Sequence, residues 1–153
     1  MLKCPQLEEA KMETNEIYRG RMIDHVQLVV RDIKASRKFY TAIFETLGIP
    51  LGGETEEFFW ADELFISELK SVASDGKLTG PTHLAFQAKD QAMVKKFYEA
   101  GLKAGGKDNG APGERPYHPG YYAAFLHDPD GNNIEAVFHG PAKRSAESIK
   151  ITF

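Results

Sequence analysis

The sequence predicts an α+β fold assembled from two copies of one unit. Two observations carry that prediction: an internal repeat that runs without a gap, and a strand-helix-strand reading of each copy. Asp24-His25-Val26 through Lys38-Phe39-Tyr40 matches Thr82-His83-Leu84 through Lys96-Phe97-Tyr98. Asp32 pairs with Asp90, Ala42 with Ala100 and Gly48 with Gly106, each pair standing 58 positions apart. A duplicated unit covers its apolar face with its twin, so residues at equivalent positions are expected to meet at one site.

Apolar residues dominate from Ile23 to Val30 as in a buried strand. Asp32 then offers an N-cap for a helix over Ile33 to Thr46, in which Ala35, Phe39 and Ile43 share a face and Leu47-Gly48 ends the run. Alternating stretches at Phe58 to Trp60 and Leu64 to Leu69 read as strands about an Ala61-Asp62-Glu63 turn. The first unit is therefore βαβββ, and Ser71 to Pro81 has the composition of a linker. The second unit opens with a strand over Thr82 to Ala88 and a helix from Gln91 to about Lys103 behind an Asp90 cap. A Gly/Pro-rich loop, Gly105 to Pro119, leads to strands at Tyr121 to Leu126 and Asn133 to Phe138. Between them Asp128-Pro129-Asp130-Gly131-Asn132 is a strong hairpin turn, since proline presets one torsion and glycine tolerates a positive one.

Outside the repeat, residues 1–21 read as an arm or short helix, with Leu7, Ala10, Thr14 and Ile17 at loosely helical spacing. Residues 140–153 form a tail whose end, Ser148 to Phe153, alternates like an edge strand. The body is one domain over 22–139, with modules at about 22–70 and 81–139.

A chain of 153 residues with 42% hydrophobic content suits a single core. Its formal charge of −3, with no basic run among aromatics, argues against nucleic acid as a partner. No apolar run approaches a membrane span and the first residues lack the pattern of a signal peptide, which predicts a cytoplasmic protein without a membrane partner. The single cysteine, Cys4, excludes an internal disulfide.

Strand alternation puts His25, Gln27 and Val29 on one face, and places His83, Ala85 and Gln87 on the equivalent face of the second copy. Glu68 and Glu135 each sit in an apolar strand late in their unit, where a carboxylate needs a partner. A lone strand histidine is usually a hydrogen-bonded core residue. Two at repeat-equivalent positions, with late glutamates, instead make a nitrogen and oxygen donor set suited to a divalent metal: His25, His83 and Glu135, with Glu68 as a fourth candidate. Glu68 and Glu135 are 67 positions apart, so their equivalence demands a nine-residue insertion in the second unit. Gln27 and Gln87 are expected to line the wall. His118, Tyr121 and Tyr122 are candidates for substrate contact, a tyrosine being able to donate to a developing oxyanion. His127 and His139, beside a turn and a glycine, read as surface residues, and Glu54, Glu56 and Glu57 as a solvated face.

At these residues the chain resembles the vicinal oxygen chelate superfamily, which includes glyoxalase I, fosfomycin-resistance proteins, bleomycin-binding proteins and extradiol dioxygenases. The resemblance spans about Met22 to His139. It is most specific at Asp24-His25-Val26, at the Lys-Phe-Tyr helix before Leu47-Gly48, at His83-Leu84-Ala85-Phe86, and at Asp128-Pro129-Asp130-Gly131-Asn132 leading to Ile134-Glu135. It implies two βαβββ modules forming an open, cup-shaped, eight-stranded mixed sheet with helices outside, commonly in a homodimer. It also implies a divalent metal (Ni, Zn, Mn or Fe) that holds two neighbouring oxygens of a small substrate while Glu135 or Glu68 moves a proton. His25, Glu68, His83 and Glu135 repeat the His, Glu, His, Glu order of glyoxalase I. Val29 and Val72 stand where that enzyme commonly has the arginine and asparagine that hold glutathione, so a glutathione-linked substrate is not expected. The resemblance thus implies a glyoxalase-like lyase or isomerase. The alternatives are ring-cleaving dioxygenase chemistry, a fosfomycin-type thiol transferase, a ligand-sequestering protein of the bleomycin-resistance type, or a degenerate member with histidines kept for packing.

Overall fold

Short alternating apolar runs and two stretches of helical periodicity produce the architecture. The computed structural model describes residues 16–20 and 22–152. The expected eight strands are present as two four-stranded sheets. In the first, β2 (Val26–Val30), β5 (Leu64–Glu68), β4 (Phe58–Ala61) and β3 (Gly53–Glu54) lie side by side in that order. In the second the order is β6 (His83–Gln87), β9 (Asn133–Phe138), β8 (Tyr122–His127) and β7 (Lys107–Glu114). β2 with β5, and β6 with β9, are the parallel pairs; every other neighbour is antiparallel. Between the parallel partners run the helices α1 (Ile33–Leu47) and α2 (Gln91–Lys103) and the outer strands of each sheet. Asp90 caps α2 as expected: its Oδ1 accepts from the Met93 N–H at 2.7 Å.

Two stretches depart from the sequence reading. Lys107–Glu114, inside the expected Gly/Pro-rich loop, is the edge strand β7, and it pairs with β8 through two register shifts. Glycine-rich, polar sequence carries no strand periodicity. Here Gly110, at φ +149°, absorbs one irregularity in the ladder. At the other end, Glu16–Arg19, within the expected arm or short helix, form the strand β1, paired antiparallel with β10 (Ile149–Thr152) in the tail. The rest of the expected arm, with Leu7, Ala10, Thr14 and Cys4, lies outside the described residues. Among the described residues no helix is long and apolar enough to cross a membrane.

The chain divides into two compact units that do not follow the repeat boundaries. One holds the residues up to Ile33, Leu51–Thr79 and the chain from Ala146; the other holds Lys34–Pro50 and Gly80–Ser145. In the first unit the linker is tied to β2, since Thr79 Oγ1 accepts from the Val29 N–H at 2.8 Å and the Thr79 N–H donates to the Val29 carbonyl. On one face of this sheet Leu28, Val30, Phe59 and Ile66 are buried.

In the second unit α1 packs with the sheet of the other repeat. Phe44 meets the Phe86 ring edge to face at 5.5 Å. The bare Cα of Gly101 in α2 admits Leu126, Ile43 and Phe39, and a methyl group there would clash with Leu126. The polar centre of this layer is Asp128. Its Oδ2 accepts from the Tyr40 hydroxyl at 2.6 Å and from Asn132 Nδ2 at 2.8 Å, while Oδ1 accepts the N–H groups of Asp130 and Asn132. Burial and the adjacent Asp128 hold the Tyr40 phenol well above its ordinary pKa, so it remains the donor.

Hydrogen bonds to charged groups are worth roughly 1.5–3 kcal/mol. Tyr40→Phe is therefore expected to lower unfolding free energy by about that amount, read as a shift of the urea midpoint at unchanged slope. A change below a few tenths of a kcal/mol would contradict this role for the pair.

Candidate active site around Glu135

The pairing register decides which side chains of the second sheet meet. Ala85 and Phe125 lie opposite Glu135 on its two flanks, His83 and His127 lie opposite Asn133, and Gln87 and Ala123 lie opposite Val137. Strand alternation therefore gathers His83, Ala85, Gln87, Phe125 and Glu135 on one face, and turns Leu84, Phe86, Ile134, Ala136 and Leu126 to the other. Tyr122, expected as a substrate contact, belongs with the second set and is buried.

Glu135 is 3% exposed, and both of its oxygens are engaged. Oε1 accepts from the Tyr121 hydroxyl at 2.5 Å, and Oε2 stands 3.0 Å from His83 Nε2. The other nitrogen of that imidazole, Nδ1, lies 3.1 Å from the Asn133 carbonyl. A carbonyl and a carboxylate both only accept, so a neutral imidazole donates to one of them and a doubly protonated one to both. Between Nε2 and Oε2 there is a place for one cation, a proton on the imidazole or a metal ion. Asn109 Nδ2 donates to Asn133 Oδ1 and ties β7 to the same corner. The Phe125 ring stacks on His83 with centroids 6.2 Å apart.

Tyr121 is part-buried, and its phenol is held well above the ordinary range, first by burial and then by the hydrogen bond and charge of Glu135; Arg115 acts weakly the other way. Around its ring stand Tyr117 at 4.9 Å and His118 and His139 at 5.3 Å, all edge to face. His118 Nδ1 lies 2.9 Å from the Pro119 carbonyl and its Nε2 lies 2.9 Å from His139 Nδ1. His139, read from sequence as a lone surface residue, is thus one half of an imidazole pair.

The first unit handles its equivalent positions differently. His25 lies one residue before β2; its side chain is exposed, with Nδ1 at 2.6 Å from Asp24 Oδ1. Gln27 Nε2 donates to Ser67 Oγ and to the Ala73 carbonyl, which makes it a structural tie between β2, β5 and the linker. Gln27 pairs with Phe65 as Ala85 pairs with Glu135, so Phe65 is the residue that stands in the place of Glu135. Glu68, expected as the fourth donor, comes three residues later on an unbroken strand, on the face of Leu28 and Ile66 rather than that of Gln27. The insertion that separates the modules is twelve residues rather than nine, because Phe65 and Glu135 are 70 positions apart against a repeat of 58. Among the described residues no three histidine, cysteine, aspartate or glutamate side chains are grouped so as to hold a metal ion.

The raised Tyr121 pKa sets a direction for stability. The unfolded phenol ionises near about 10, while the folded one keeps its proton to higher pH; the stabilisation is complete below that value and declines as pH climbs past it. Wild type is therefore expected to lose more unfolding free energy than Tyr121→Phe when the urea midpoint is compared at about pH 9 and about pH 11. Equal losses would mean that Glu135 and burial do not hold this proton.

The family model described as the glyoxalase/bleomycin resistance protein/dioxygenase superfamily matches residues 22–136. No curated protein matches the chain. Among solved structures, a glyoxalase/bleomycin resistance protein from Albidiferax ferrireducens is 31% identical, with 76% of this chain and 97% of that one covered at a TM-score of 0.60. A glyoxalase/bleomycin resistance protein/dioxygenase family enzyme from Burkholderia phytofirmans is 24% identical over 74% of this chain and 95% of its own, at a TM-score of 0.56. A lactoylglutathione lyase from Agrobacterium tumefaciens shares the fold at 19% identity, with 76% and 92% coverage and a TM-score of 0.56. The repeat, the two mixed sheets with their parallel first and last strands, and the matched span agree: this chain belongs to the glyoxalase/bleomycin resistance protein/dioxygenase superfamily.

Proposed function

We propose that this protein is a metal-dependent lyase or isomerase of glyoxalase-like type, acting on a small molecule that chelates through two neighbouring oxygens. The observation that carries the reading is the arrangement at Glu135, where an imidazole held at a backbone carbonyl by one nitrogen has the other 3.0 Å from a buried carboxylate oxygen. An outer hydrogen bond that fixes the tautomer is how proteins orient a metal-binding histidine. A 3.0 Å separation also suits two donors on adjacent corners of one coordination sphere, since bonds of about 2.1 Å at right angles span about 3 Å. The donor set is nitrogen and oxygen without thiolate, which fits Ni, Zn, Mn or Fe. His83 and Glu135 would hold the ion. The register argues against Glu68 in that role.

Bound there, a divalent ion would offset negative charge developing on the two substrate oxygens. The protein's own groups supply the rest. Glu135 is the candidate base for a proton next to a carbonyl. Its Oε1 is steadied by Tyr121, whose high pKa keeps the phenol protonated and able to donate. Val29 and Val72 do not offer the polar contacts that glutathione would require, so the substrate is a different chelator. A cytoplasmic location and a homodimer accord with the composition and the family.

Metal analysis and calorimetry with Ni, Zn, Mn and Fe test this directly. Losing an outer partner of a ligand costs about 10–100-fold in affinity. His83→Ala and Glu135→Gln should each exceed that, and Glu68→Gln should change nothing. Wild-type protein that stays empty with every ion would sink the proposal.

A further inference from the structure

Arg115 is a half-buried cation with no carboxylate partner among the described residues, and it lies beside the face that carries His83 and Glu135. Its guanidinium carbon stands 5.3 Å from the centroid of the Phe125 ring, and Phe125 lies opposite Glu135 and stacks on His83. The head group is fixed from its own loop. Nη2 donates to the Ala111 carbonyl at 2.7 Å and Nη1 to the Glu114 carbonyl at 3.2 Å, while the Arg115 N–H donates to the Tyr121 carbonyl. Two glycines make room for it: a methyl group on Gly113 would stand 3.0 Å from Nη1, and one on Gly110 would stand 3.3 Å from Nη2. The charge also reaches the site, since it lowers the Tyr121 pKa against the other influences there.

A guanidinium carries five N–H donors, and two backbone carbonyls occupy only one on each terminal nitrogen. The donors that remain form a rigid, planar array, the geometry that binds carboxylates in two-point fashion. A positive charge that is half-buried, held by two backbone carbonyls and without a carboxylate partner among the described residues, beside the sheet face of Glu135, is better explained by an anion that arrives with the substrate than by loop packing alone. We infer that the substrate of this site bears a carboxylate that docks on Arg115 while its neighbouring oxygens reach the His83 and Glu135 end. This inference rests on the chelating-substrate reading above. It narrows that reading to acids.

Three probes separate the two ideas in metal-loaded protein: acetohydroxamate, the monohydroxamate of succinate, and the terminal amide of that monohydroxamate. Acetohydroxamate tests chelation alone, and its failure to bind better with metal than without would strike the parent reading. The acid is expected to bind about ten- to hundredfold tighter than its amide in wild type, the range of a hydrogen bond to a charged group. In R115Q that ratio should fall to near one. R115K, which keeps the charge without the planar fork, should hold part of it. A ratio near one in wild type, or a ratio that survives R115Q, overturns the inference. Glutarate titrated into chelator-treated wild type, read at the Arg115 Nε–H resonance, makes the test independent of metal. A saturating shift supports anion docking there, and an unmoved resonance refutes it.

Discussion

The second unit is organised by one buried carboxylate. Asp128 is 3% exposed and would be costly to bury as an unpaired charge, but four donors meet it: a phenol, an amide side chain and two backbone N–H groups. Three of those donors close the turn between β8 and β9. The fourth comes from α1, far back in the sequence, and fastens that helix to the hairpin. The ladder that follows is unbroken from Tyr122 opposite Phe138 to His127 opposite Asn133. Its register is what turns Glu135 towards His83. A slip by one residue would send Glu135 to the helix-covered face and bring Ile134 into the site. The chemistry of Glu135 thus depends on a salt-free polar knot at the far end of its own hairpin.

Duplication kept the backbone plan and divided the chemistry. At the position of Glu135 the first sheet has Phe65, stacked on Phe58 at 5.0 Å, and opposite Phe65 it has Trp60 where the second sheet has Phe125. Gln27 is spent on Ser67 and Ala73, whereas its counterpart Ala85 leaves the face open beside Glu135. The twelve extra residues of the second module fall in two places: seven precede β8 and five enlarge the hairpin. The first group supplies Arg115 and the aromatic corner around Tyr121. The second supplies the Asp128 knot.

How much of this could be read in advance follows from where periodicity was present. The helices, the strands around Asp62 and the strand over Asn133–Phe138 show clear periods, and their bounds agree with the structure to within a few residues. The repeat identified His83, and the isolation of Glu135 among apolar neighbours marked it as a buried carboxylate in need of partners. β7 was not legible, because a strand built on Gly110 and Gly113 has no alternating side chains to reveal it. Arg115 was missed for the same reason: in a stretch read as loop, a lone arginine gives no sign of being immobilised. Glu68 shows the opposite failure. Chain order pointed to it, but only strand register could reveal that the face belongs to Phe65. The partition of α1 with the second sheet was hidden as well, since a repeat describes how units are copied and not how they pack.

The two oxygens of Glu135 are chemically unequal, and that inequality gives the site a direction. Oε1 is occupied by a phenol that keeps its proton, so it accepts a hydrogen bond and has little basicity left to offer. Oε2 faces the imidazole of His83 at 3.0 Å, so it is the oxygen turned to a cation, either the proton of that ring or a metal ion. A symmetric carboxylate in water would average these roles by rotation. Here rotation would break the Tyr121 hydrogen bond of a residue that is 3% exposed. The carboxylate is held in one orientation, with the oxygen that can gain a proton or a metal bond turned to His83 and the spectator oxygen turned to Tyr121.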